Sequence, residues 1–142
     1  MLCRRFQSEA SVRATLERAV GTTRARAVRV FAGDVVPRKK PAPDIYLLAL
    51  RSLGVPASDA VVVEDSRNGL LAATGAGLTC LITVNDFTRD EDFSEAALVV
   101  SSLGDPGGER TVVLANRSGA RPGDWVTLAD LAIVTGDTAR KG

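Results

Sequence analysis

Val61-Val62-Val63-Glu64-Asp65-Ser66-Arg67-Asn68-Gly69 runs three branched apolar residues straight into two carboxylates, a serine and a glycine. The pattern predicts a buried parallel strand from Ala60 to Val63 or Glu64, then a helix from about Arg67 to Ala76 bracketed by Gly75 and Gly77. Open α/β sheets gather their ligands at the carboxyl ends of such strands, so acids placed there are candidates for holding a cation. On an extended strand Glu64 and Asp65 would point to opposite faces, but where the chain turns both can approach one ion. The plainer reading is an acidic helix start with Ser66 as its cap. The apolar run ahead of the pair, and Gly69 four residues after Asp65, favour the cation-binding reading.

Upstream, Pro43 and Asp44 open a helix predicted to run to about Leu53, with Ile45, Leu48, Ala49 and Leu53 facing the core. Gly54 caps it and Pro56 prevents its continuation. Before it lies a basic, proline-bearing loop that ends in Lys39-Lys40-Pro41. Lys40 stands 24 residues ahead of Glu64, and one helix with one loop fills that distance. That spacing is half of a βαβ unit and brings lysine and acids to one edge of a sheet. A cation fixed there can meet a phosphate oxygen, although a solvated Lys-Lys pair is the ordinary fate of such residues.

Further out, Ser11 to Val20 has helical spacing, and Val28 to Ala32 reads as a short strand running into Gly33-Asp34. Leu78 to Val84 and Ala97 to Val100 read as strands, and Thr111 to Ala115 as a weaker one. Trp125 to Val134 reads as an added strand or a short helix. Strands alternating with helices predict an α/β fold: a partial Rossmann-like parallel sheet of three or four strands, with helices on both faces. We divide the chain into a core over residues 1–103 and a C-terminal extension over 104–142.

The 142 residues are 45% hydrophobic and 25% charged, an ordinary globular composition with room for a core. The net charge of +1 hides an asymmetry. Residues 1–40 carry ten Arg or Lys against three acids, and residues 41–142 carry eight against fourteen. The basic segment has few aromatics and no recognised motif, so no nucleic-acid partner is expected. No apolar run reaches the length of a membrane span. The expected compartment is the cytoplasm, with the chloroplast as the alternative because Arg and Ser are frequent and acids scarce in the first thirty residues. Cys3 and Cys80 lack metal or disulfide spacing, and the absence of His removes His-based triads and bases.

Phe31-Ala32-Gly33-Asp34-Val35-Val36, Lys40-Pro41-Ala42-Pro43-Asp44-Ile45-Tyr46, Glu64-Asp65-Ser66 with Gly69, and Thr88-Arg89-Asp90-Glu91-Asp92-Phe93 together resemble the haloacid-dehalogenase-like phosphotransferases. The similarity is greatest to the CbbY-like and beta-phosphoglucomutase-like branch, and to the C-terminal half of that core. It implies that Lys40 is the phosphate-stabilising, catalytic lysine, with Glu64 and Asp65 as the Mg²⁺-binding acids. It also implies a phosphorylated sugar or another small phosphate ester as substrate. Lys39 suits the lysine role less well, because the family's lysine directly precedes the first proline.

The sequence departs from the family at its first motif, an apolar strand ending in Asp-x-Asp-Gly. The first Asp of that motif attacks phosphorus and the second serves as acid and base. The one Asp-x-Asp in this sequence, Asp90-Glu91-Asp92, is followed by Phe93 and preceded by no apolar strand. Ser8 stands near the place of the second motif but on no clear strand, and the helical cap domain of the branch is not found. The expectation is a fragment or truncated member, inactive alone, with an exposed strand edge prone to self-association. Two alternatives remain: a non-catalytic module that pairs through that edge, and a receiver-like phosphate- and metal-binding regulator using Asp34.

Overall fold

The computed structural model describes residues 9–31 and 35–136. Ser8 and Asp34, named above, lie outside the described residues. Helices α1 (Glu9–Val20) and α2 (Thr22–Arg26) meet at Gly21, and α1 has no buried residue. Arg13 ties them together by donating to the carbonyl of Ala25 at 3.2 Å. Residues 28–31, expected as a strand, carry no regular structure. A strand needs a neighbour for its backbone N–H and C=O groups, and none of the described strands pairs with this one.

Helix α3 (Asp44–Leu53) has the expected bounds, and Gly54 closes it in the left-handed conformation at φ 66°. Its inward face is not the expected one. Tyr46 and Leu50 pack against the core, while Leu53 is half exposed. Nearly every residue from Ile45 to Leu50 is apolar, so periodicity alone leaves the buried stripe undetermined. The sheet that receives Tyr46 and Leu50 decides it.

That sheet has four strands, β1 (Val61–Glu64), β2 (Thr79–Thr83), β3 (Leu98–Val100) and β4 (Val113–Asn116), in that spatial order. The pairs β1/β2 and β2/β3 are parallel, with Val62 opposite Cys80 and Leu81 opposite Leu98. β4 runs antiparallel to β3, so the sheet is mixed rather than all parallel. The cause is the connection: residues 101–112 hold the Asp105 to Gly108 turn and no crossover helix, so the chain returns beside β3 in the opposite direction.

Helices α4 (Arg67–Gly75) and α3 cover one face, where Leu70 and Ala73 of α4 join Val62, Cys80, Ile82, Phe93 and Val99 in the core. The other face holds Leu81, Leu98, Val100 and Ala120 beneath Val134 of α5 (Leu128–Val134). The short-helix reading of the last apolar segment therefore holds, and Thr127 with Asp130 forms a reciprocal capping box at its start. β1 is an outer strand that pairs only with β2 among the described residues. Its Val63 is 43% exposed while Val61 on the same face packs against the cluster of Leu81, Leu98 and Val100. The strand expected to be buried is thus covered on one face and only in part on the other.

Candidate functional site

The carboxyl end of β1 is where the chain's chemistry gathers. Side chains alternate along the strand, and Glu64 falls on the same face as Val62, toward α3 and α4. Its carboxylate accepts hydrogen bonds from the Lys40 ammonium and from the Tyr46 hydroxyl. Lys40 also sits over the Tyr46 ring, 5.0 Å from its centroid. Three residues from the basic loop, α3 and β1 thus share one charged contact.

The next residues explain the Glu-Asp-Ser-x-x-Gly spacing. Ser66 is the N-cap of α4, and its hydroxyl accepts from the Gly69 N–H at 3.2 Å. That turn carries Gly69 against the Glu64 carboxylate, where an added Cβ would overlap the carboxylate itself. Serine starts the helix, and glycine leaves room for the glutamate. The plain reading of Ser66 as a cap and the reading of Glu64 as a site residue describe the same turn.

Asp65 differs from its neighbour. It is exposed and makes no hydrogen bond or ion pair among the described residues. Those residues also contain no group of three acids, Cys or His able to enclose a metal. Lys40 and Glu64 meet at the strand end, with Glu64 engaged by protein donors, while Asp65 follows in the next position and is exposed.

Two further residues matter that the sequence reading passed over. Tyr46 was legible only as part of the Lys40-to-Tyr46 block. Arg67 holds the segment after β2 in place, donating to the Asp92 carbonyl at 2.6 Å and pairing with Glu95 at 2.5 Å. Its own backbone N–H donates to Glu91 at 2.5 Å. Asp90-Glu91-Asp92 is thus part of a loop clasped to the start of α4, with Phe93 buried beneath it.

Burial moves two titrating groups. Removal from water, and then the Glu64 contact, push the Tyr46 hydroxyl far above its ordinary range. Removal from water, and then the Glu64 charge, push the buried Cys80 thiol from 9.0 to about 12. Both groups are neutral in the fold and ionise at lower pH in the unfolded chain. Their contribution to stability is complete below pH 9.0 and is lost as pH rises toward 12. Urea midpoints should therefore be flat from neutral pH to about 8.5 and fall steadily above it. The ultraviolet absorbance of the single tyrosine should show tyrosinate only as the protein unfolds.

A family model for haloacid dehalogenase-like hydrolases matches residues 6–77. The chain belongs to that family. The chain is 50% identical over 103 residues to a CBBY-like protein of Arabidopsis thaliana, covering 72% of this chain and 32% of that protein. It is 52% identical over 79 residues to the CbbY protein of Cereibacter sphaeroides, covering 56% of this chain and 34% of that one. A crystal structure of mutant CbbY from Rhodobacter sphaeroides in complex with xylulose-1,5-bisphosphate is similar at a TM-score of 0.61 and 44% identity. That match covers 68% of this chain and 44% of the solved one. The chain spans about a third of the length of these curated relatives. No helix among its described residues is long and apolar enough to cross a membrane.

Proposed function

We propose that this chain carries the lysine-and-acid half of a Mg²⁺-dependent phosphotransfer site for a phosphorylated sugar or a similar small phosphate ester. The observation that supports it best is the contact of Lys40 with Glu64 at the carboxyl end of β1, with the exposed carboxylate of Asp65 next in the chain. The solved relative in complex with a sugar bisphosphate supports the substrate class. Lys40 would meet a phosphoryl oxygen with its ammonium and offset charge there as the group transfers.

Glu64 and Asp65 offer only oxygen donors, the chemistry Mg²⁺ takes, and Asp65 has an unused carboxylate. Asp65 would supply a ligand to the ion, and Glu64 would share its carboxylate with Lys40 and Tyr46, with water completing the shell. Bound there, the ion would neutralise negative charge on phosphoryl oxygens. For its compartment we propose the cytoplasm, with the chloroplast as the alternative because Arg and Ser are frequent and acids scarce in the first thirty residues.

The sequence given holds no Asp-x-Asp-Gly, the motif that carries the family's nucleophile, so this chain should be inactive alone. The purified protein should hydrolyse sugar phosphates and p-nitrophenyl phosphate no faster than buffer. A robust Mg²⁺-dependent turnover abolished by Asp34→Asn, but untouched by Lys40→Ala, would instead favour the receiver-like reading. The edge of β1 left unpaired among the described residues, and its exposed Val63, favour a second reading, a module that pairs with another strand. A concentration-dependent mass by light scattering, lost on Val63→Lys, would support that one.

A further inference from the structure

The Glu64 carboxylate has two donors from different parts of the chain. The Lys40 ammonium comes from the loop ahead of α3, and the Tyr46 hydroxyl from the first turn of α3. The Tyr46 ring also lies beneath the ammonium and packs against the core formed by Val62, Leu70 and Cys80. Lys40 itself is 39% exposed and rides on an irregular loop. Of these three residues, tyrosine alone touches both partners of the ion pair while being anchored by core packing.

We propose that Tyr46 is a positioning residue, whose hydroxyl fixes the Glu64 carboxylate and whose ring fixes the Lys40 ammonium. A free lysine side chain samples many rotamers, and holding it in advance removes that ordering cost when an anion arrives. The hydroxyl matters separately from the ring. Phenylalanine keeps the packing and the ring face beneath the cation, but leaves the carboxylate free to swing on a single contact. The proposal rests on Lys40 as the phosphate lysine for its purpose, and not for its geometry.

Side-chain ammonium NMR on the whole chain tests it. The Lys40 signal is identified as the one lost in Lys40→Arg. In the native protein its ε-methylene protons should be shifted upfield by the Tyr46 ring, with its ammonium protons exchanging slowly. Tyr46→Phe should keep the upfield shift and raise the ammonium exchange at least threefold. Tyr46→Leu should abolish both signatures while the backbone amide pattern of β2 and β3 persists. Native ε-methylene protons at the free-lysine position would overturn the proposal without any variant being made. Unchanged ammonium exchange in folded Tyr46→Phe would overturn it as well. Inorganic phosphate added with Mg²⁺ reads the other assignment: a Lys40 signal that ignores phosphate counts against the phosphate lysine, and leaves its positioning by Tyr46 standing.

Discussion

Gly69→Ala should lower the melting temperature by about 10 °C, although alanine is the better helix former by about 1 kcal/mol. The new methyl group would occupy the space of the Glu64 carboxylate, so the glutamate must leave its place. Overpacking typically costs about 1–3 kcal/mol, and a displaced carboxylate also forfeits its bonds from Lys40 and Tyr46. Against the helix gain, a net loss of about 2–4 kcal/mol follows. The atoms in the way lie beyond Cβ of Glu64. Adding Glu64→Ala should therefore recover at least about 1 kcal/mol over the sum of the single effects, a coupling that urea unfolding of the four proteins measures. Additive effects would show that Gly69 is there for some reason other than the glutamate.

Lys40→Ala should have its large effect on catalysis. Fusing or mixing the chain with an N-terminal half that carries an Asp-x-Asp-Gly strand and its cap should restore phosphatase or mutase turnover. The outer position of β1, whose far edge is unpaired among the described residues, supports that assembly. In the restored enzyme Lys40→Ala should reduce kcat by about 10²–10³, the usual scale for losing one group that stabilises transition-state charge. KM should change far less, because the ammonium matters most as the phosphoryl group transfers. Equal turnover in the variant would move the assignment to Lys39.

The sequence disclosed this site because each feature there has one local cause. An apolar run ends in acids, a serine caps the helix, and a glycine three residues later admits the glutamate. The bounds of α3 were equally plain, since Pro43 and Gly54 punctuate it. Its inward face was not, because from Ile45 to Leu50 the choice depends on the shape of the sheet beneath. Val28 to Phe31 has strand composition, yet composition cannot supply a pairing partner. The reversed direction of β4 lay in the short connection before it. Tyr46 went unremarked because a hydroxyl on an apolar helix gains meaning only when the tertiary fold sets it beside Glu64.

The most direct test of the central claim is a Mg²⁺ titration of the unmodified chain followed by backbone amide NMR. With two carboxylates at the site among the described residues, binding should be weak, with a Kd in the millimolar range or above on general affinity grounds. The shifts should centre on Glu64, Asp65 and Ser66, and they should vanish in Asp65→Asn. Tight binding that survives Asp65→Asn, or shifts centred elsewhere in the fold, would show that these acids are not the metal-binding half of a phosphotransfer site.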